Sequence, residues 1–98
     1  MMKPYSFEPY APSLSDKKTA QSIYDELNRL NLRENSVEID LTKMVAMTTL
    51  CARIIFGRLY LDLGSEAFSR NVKIKGASET LNIVINWGIE SAIENKDL

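Results

Sequence analysis

The hydrophobic positions of this chain follow two different periods, and the switches between them predict strands that alternate with helices. Over residues 37–41, valine, isoleucine and leucine alternate with acidic residues, which is the period of a strand with one buried face. Over residues 72–75, valine and isoleucine alternate with lysines and predict a second strand. A third, short strand is predicted near residues 5–8, where the neighbouring prolines exclude a helix.

Apolar residues at spacings of three and four predict three helices, over residues 15–30, 49–63 and 78–94. Gly64 directly follows the second helix and can take the left-handed conformation that closes a helix. Ser78 is a suitable cap for the third helix. Either Ser13 or Ser15 is expected to cap the first one.

Strands separated by helices favour parallel neighbours that are joined by right-handed crossovers. The sequence therefore predicts a single α/β domain over residues 1–98, with a small sheet of three to four strands covered by about three helices. Residues 1–12 are expected to be an edge strand that packs Tyr5 and Phe7 on the core; an arm that docks on another molecule is the alternative. Residues 95–98 are expected to be a mobile tail.

The second helix carries more apolar surface than its core face needs. A second apolar stripe lies beside Gly57, and only Arg53, Arg58 and Asp62 on this helix clearly require water. In the last helix, an isoleucine and a tryptophan one turn apart also lie outside the core stripe. A helix that is apolar nearly all round is either deeply buried or in contact with a partner. The predicted partner-binding residues are Met47, Leu50, Ile54, Leu61, Ile83 and Trp87.

The order of these blocks resembles that of STAS-like domains, which are relatives of bacterial anti-sigma factor antagonists. The resemblance covers residues 36–94: a strand, a short loop with Thr48 and Thr49, an apolar helix containing FGRLYLDLG, and then VKIKGASE. It implies a STAS-like sheet covered by helices. It also implies that a hydroxyl residue at the start of the central helix is phosphorylated by an ATP-binding, kinase-like partner, and that the phosphate controls binding. By position, Thr48 and Thr49 correspond to that hydroxyl residue.

Two features of this region have alternative interpretations. Threonine is a good helix cap, so one of Thr48 and Thr49 has a structural role, and the second exceeds what a cap requires. Met44, Val45 and Met47 in the preceding loop either fill the end of the core or form an apolar recognition loop.

Composition excludes several functional classes. The formal net charge is −1 with both signs interspersed, which gives no field to steer the chain toward nucleic acid or an anionic membrane. No run is long enough to span a bilayer and no secretion signal is recognisable, so a cytoplasmic protein is expected. The chain has no histidine, and Cys51 is its only cysteine, so common metal sites and histidine-activated nucleophiles cannot be assembled. We therefore expect neither catalytic residues nor a metal or other cofactor.

The function favoured by these observations is a regulatory protein–protein interaction module rather than an enzyme. Its support is the position of Thr48 and Thr49 together with the surplus apolar surface of the helices. The alternatives are a structural homo-oligomer, such as a homodimer, which would use the same apolar surface, and a small-molecule-binding protein or enzyme whose site the sequence does not identify.

Overall fold

The computed structural model describes residues 2–95 and shows an α/β domain in which strands and helices alternate. In chain order the strands are β1 (Met2–Ser6), β2 (Ser13–Leu14), β3 (Ser36–Asp40), β4 (Ala46–Met47) and β5 (Val72–Lys75). The helices are α1 (Lys17–Asn28), α2 (Thr49–Ala52), α3 (Arg58–Asn71) and α4 (Glu79–Glu94). A 3₁₀ helix covers Glu8–Tyr10, and a π turn over Arg53–Gly57 joins α2 to α3.

The main sheet contains β1, β3 and β5 in that order, with all neighbours parallel. Ile39 pairs in register with Tyr5 on one side and with Ile74 on the other, so these three residues share one face. Val37 and Ile39 are fully buried on this face, under the helices. Lys73 and the other residues that alternate with them point to the opposite face. The predicted α/β class, with a small sheet covered by helices, is confirmed.

The N-terminal strand lies earlier than predicted. It spans Met2–Ser6 rather than residues 5–8, because Pro9 belongs to the 3₁₀ helix that follows it. Pro4 is tolerated in β1 because β1 is an edge strand. Phe7 is fully buried, and its ring stacks on that of Phe56, with the ring centroids 6.1 Å apart. The N-terminal segment is therefore an edge strand that packs on the core, as predicted.

The start of α1 corrects the sequence prediction. Asp16 is the N-cap, and its carboxylate accepts a hydrogen bond from the Thr19 N–H at 2.9 Å. Ser13 is not available as a cap because it lies in β2, which pairs in parallel with β4. The predicted cap of the last helix is confirmed, since the Ser78 hydroxyl accepts from the Leu81 N–H at 3.1 Å.

One helix runs without a break from Thr49 to Leu63, and we call residues 49–63 the central helix. Its end at Gly64 agrees with the prediction, because Gly64 has a φ of 84°. The helix resumes after this kink and continues to Asn71. Asn71 fixes this second part: its buried amide donates to the Leu32 carbonyl at 2.6 Å and accepts from the Ser36 hydroxyl at 3.2 Å.

The sequence also led to expectations about the C-terminal tail and about membrane-spanning segments. The predicted mobile tail lies outside the described residues except for Asn95, which follows α4. None of the helices within residues 2–95 is long and apolar enough to cross a bilayer.

Candidate functional site

Four of the six predicted partner-binding residues have exposed side chains. Trp87 is 54 % exposed, Leu50 44 %, Ile83 42 % and Leu61 40 %. Ile54 is half-buried and packs against the edge of the core. Exposed apolar residues are ordinary when they are scattered, so their relative positions decide whether they form a surface.

Met47 is the exception, and its inclusion among the partner-binding residues was wrong. Its side chain is only 6 % exposed, because the pairing of β4 with β2 turns it into the core. Met44 is buried beside the same core, whereas Val45 between them is exposed. The methionines of this loop therefore fill the end of the core, which is the first of the two alternatives that the sequence left open.

The central helix and α4 run side by side in the same direction at very short separation. A Cβ atom placed on Gly88 would lie 2.7 Å from the backbone of Ala52 and of Arg53. Five residues further along the central helix, a Cβ atom on Gly57 would lie 2.7 Å from the Cβ of Ala92. The two helix backbones can approach this closely only because glycine and alanine occupy the crossing.

This crossing places Leu50 and Trp87 on the same flank of the helix pair. Arg53 donates a hydrogen bond to the Ser91 hydroxyl at 3.4 Å, so these two side chains meet across the helices. Leu50 lies one turn before Arg53, and Trp87 lies one turn before Ser91. Ile83 lies a further turn before Trp87 on α4. We call Leu50, Ile83 and Trp87 the apolar flank.

The two threonines at the start of the central helix have different environments. The Thr48 hydroxyl caps the helix by accepting from the Cys51 N–H at 3.2 Å. Thr49 is exposed, and its hydroxyl makes no hydrogen bond to any described residue. Thr48 therefore has the structural role. Thr49, directly before Leu50 of the apolar flank, carries the hydroxyl that the cap does not use.

A groove of about 480 Å³ opens between α1, the central helix and α4, next to the apolar flank. Its polar lining residues are Gln21, Arg53, Arg58, Asp62 and Asn95, and its apolar ones are Ile54, Leu61 and Ala92. The volume falls in the range of ligand sites, but the groove is open on one side. The sequence prediction included Ile54 and Leu61 and missed the two arginines that lie beside them.

The buried Tyr24 contacts two of the residues that line this groove, Arg58 and Asp62. The Arg58 guanidinium carbon lies 4.8 Å from the centroid of the Tyr24 ring, which is a cation–π contact. The Tyr24 hydroxyl donates to the Asp62 carboxylate. Burial, and then the hydrogen bond to Asp62, raise the pKa of Tyr24 to about 12. The Asp62 carboxylate is therefore engaged by the protein itself.

A second, smaller cleft of about 350 Å³ lies at the carboxyl edge of the main sheet, where ligands of parallel sheets commonly bind. Its lining residues are Ser6, Glu8, Asp40, Thr42, Lys43 and Lys75. The Asp40 carboxylate accepts from both the hydroxyl and the backbone N–H of Thr42, and these hydrogen bonds lower the pKa of Asp40. The Ser6 hydroxyl accepts from the Glu8 N–H at 3.0 Å. Two of its polar side chains thus bond to their own loops and are not held ready for a ligand.

Nothing in the part of the chain that the structure describes forms a group of three or more acidic or cysteine side chains suited to a metal ion. Cys51 is fully buried, and its thiol lies 3.7 Å from the Asp16 carbonyl oxygen. Its position is that of a packing residue.

Comparison with known proteins assigns no family. No protein-family model matches the chain, and no curated protein and no solved structure is significantly similar to it. The functional inference therefore rests on the geometry of the apolar flank, the groove and Thr49.

Proposed function

We propose that this chain is a regulatory protein–protein interaction module that binds its partner through the apolar flank of Leu50, Ile83 and Trp87. The observation that carries the proposal is the position of these three exposed side chains on one side of the α2–α4 crossing. Tryptophan is enriched among residues that dominate binding energies, and an exposed aromatic with aliphatic neighbours is typical of an interface anchor.

The proposal includes a phosphorylation switch at Thr49. Phosphorylation would add a charge of about −1.5 to −2 directly beside Leu50. The N-terminus of the central helix tolerates that charge, because its free N–H groups and dipole favour an anion. An apolar partner surface does not tolerate it, since the charge would be desolvated without a counter-charge. Binding would therefore weaken while the fold survives.

The resemblance to anti-sigma factor antagonists supports the same proposal from the sequence side. In that interpretation the chain is a STAS-like, cytoplasmic bacterial regulator without catalytic activity, and its partner is an ATP-binding, kinase-like protein. Thr49 then takes the place of the phosphorylated hydroxyl residue, and Thr48 remains the helix cap.

Affinity capture from the native host tests the proposal. The unmodified chain and the Trp87→Ala variant are used as baits, and Asn86→Ala is the matched control because Asn86 is an exposed neighbour on α4. We expect a specific protein to be retained by the unmodified chain and by Asn86→Ala, and to be lost with Trp87→Ala. Equal retention by all three baits would remove the apolar flank from the binding surface.

The switch is tested with the purified partner and two substitutions of similar size. Thr49→Glu adds a negative charge, whereas Thr49→Gln does not. We expect Thr49→Glu alone to lower the affinity, with unchanged thermal unfolding for both variants. If the two variants bind equally well, the threonine is not a switch.

Sedimentation at several concentrations distinguishes the homo-oligomer alternative from binding to a different protein. Self-association that Trp87→Ala abolishes, with no other protein captured, would assign the apolar flank to a second copy of the chain.

A further inference from the structure

Arg53 and Arg58 line the same groove from its two sides, Arg53 beside α4 and Arg58 beside α1. In a regular α-helix, residues five apart are separated by about 140° around the axis. Here the Arg58 N–H donates to the Arg53 carbonyl, which closes a π turn and reduces this separation. Both arginines line one groove. Such turns are rare and often lie at functional sites.

Neither arginine forms an ion pair with a carboxylate of the described chain; Asp62 lines the same groove, but its carboxylate accepts from the Tyr24 hydroxyl, so the lining keeps an excess of positive charge. The one ion pair within residues 2–95 joins Arg70 to Glu66 on a different part of the surface. Arg53 makes a single long hydrogen bond to Ser91, and Arg58 contacts the Tyr24 ring. Each guanidinium has five N–H donors, so most of them remain free. Two like charges on adjacent turns repel each other, and an anion between them would remove that cost.

The surroundings of the arginines indicate what kind of anion fits. Ile54 and Leu61 line the same groove, so a ligand there meets aliphatic side chains as well as two cationic forks. Guanidinium forks bind carboxylates through two parallel hydrogen bonds. The groove also continues into the apolar flank, since Arg53 follows Leu50 by one turn and its contact Ser91 follows Trp87 by one turn.

We propose that the groove binds an acidic segment of the protein partner, with carboxylates on Arg53 and Arg58 and aliphatic side chains on Ile54 and Leu61. This inference rests on the proposed function and adds the chemistry of the partner to it. Charge complementarity favours a peptide of this composition, and the continuity with the apolar flank favours a protein segment over a small molecule. The same segment can extend from the groove across Leu50 and Trp87.

Two labelled synthetic peptides test the assignment with the full chain. One is a helix-forming peptide with leucines at spacings of three and four and glutamates between them, and the other has lysines in place of the glutamates. We expect fluorescence anisotropy to show saturable binding of the acidic peptide only, weakened by added salt. Binding of both peptides with equal affinity, or of neither, would contradict the inference.

Substitutions locate the binding. Arg53→Gln and Arg58→Gln should each weaken binding of the acidic peptide about tenfold or more, which is the effect of losing a charged hydrogen-bond donor. Lys73→Gln is the control, because it removes the same charge from the sheet face opposite the helices. An equal loss with Lys73→Gln would mean that only overall charge matters and would overturn the assignment.

Two further variants test the type of contact that Arg58 makes and distinguish the groove inference from the proposed function. Arg58→Lys keeps the charge but not the fork, so binding weaker than that of the parent but stronger than that of Arg58→Gln shows that both the charge and the paired hydrogen bonds contribute. Full recovery to the affinity of the parent would count against the paired hydrogen bonds. Trp87→Ala is measured against the captured partner: if it abolishes capture while the arginine variants bind normally, the groove inference fails and the interaction module stands.

Discussion

The backbone N–H of Arg58 donates to the carbonyl of Arg53, five residues earlier in the central helix. This hydrogen bond links two arginines that line one groove from different sides. It also lies where Gly57 faces Gly88 and Ala92 of α4. The helix crossing, the groove and the apolar flank therefore depend on the same few residues, and the following predictions test them separately.

Gly88→Ala tests the close helix crossing. The added Cβ would lie 2.7 Å from the backbone of Ala52 and of Arg53, and backbone cannot move aside as a side chain can. Alanine gains about 1 kcal/mol in helix propensity over glycine, whereas overpacking that forces backbone shifts costs about 1 to 3 kcal/mol. Because the contact is with backbone, we expect a cost near the upper end of that range and a net loss of about 1 to 2 kcal/mol in urea unfolding. Asn86→Ala, on the exposed side of α4, should be neutral or slightly stabilising, and a Gly88→Ala variant as stable as the parent would contradict the crossing.

Phe56→Ala tests the core beneath the central helix. The ring is fully buried and stacks on Phe7, which directly follows the N-terminal strand and so connects that segment to the helix. We expect a loss of about 3 to 5 kcal/mol in the free energy of unfolding, enough to unfold much of a small domain. Phe68→Ala removes the same ring from a partly buried site and should cost less. A loss below about 1 kcal/mol for Phe56→Ala would mean that the ring does not support the core.

The two threonines should respond differently to truncation. Thr48→Ala removes the hydroxyl that accepts from the Cys51 N–H, and the loss of such a cap costs about 1 kcal/mol. Thr49→Ala removes a hydroxyl without a hydrogen-bond partner among the described residues and should be close to neutral. Chemical unfolding of both variants measures the difference. If Thr49→Ala were the less stable variant, Thr49 would be the helix cap and its hydroxyl would not be free for phosphorylation.

The raised pKa of Tyr24 predicts that the folded chain loses stability at alkaline pH. Its pKa is about 12 in the folded chain against 10.0 for the ordinary phenol, so folding favours the protonated form. The corresponding stabilisation is fully present below pH 10 and is lost as the pH rises toward about 12. Urea midpoints measured across this range should fall less steeply for Tyr24→Phe than for the parent. Tyr5 still contributes in the variant, because burial and its bond to Glu26 raise its pKa as well. Identical pH profiles would show that Tyr24 titrates normally.

The parts of the fold that could be predicted are those whose signals are local. The strand over residues 72–75 and the helix capped by Ser78 follow from alternation, helical spacing and a capping residue, all of which lie within a few positions. The pairing of β2 with β4 could not be predicted, because two-residue strands are too short to show a period. That pairing also removed Ser13 as a cap of α1, and the helix begins after Asp16, one residue beyond Ser15, the other expected cap.

The candidate site was predictable only in part, for a similar reason. Leu50 and Trp87 could be found because they lie outside the core stripes of their helices. Met47 could not be excluded, since only the β2–β4 pairing turns it inward. The arginine pair was missed because a spacing of five puts Arg53 and Arg58 far apart around a regular helix. A π turn shifts one hydrogen bond and leaves no mark in the hydrophobic pattern.

The most direct test of the central claim uses Trp87, which is the only tryptophan of the chain. Replacing it with fluorotryptophan places a single fluorine at the centre of the apolar flank, and its NMR signal is free of background even with an unlabelled partner. Titration with the captured partner should shift this signal and reduce its sensitivity to the solvent, because the exposed ring becomes buried in the complex. If the partner binds and the fluorine signal keeps its shift and its solvent sensitivity, Trp87 lies outside the interface and the proposed binding surface is wrong.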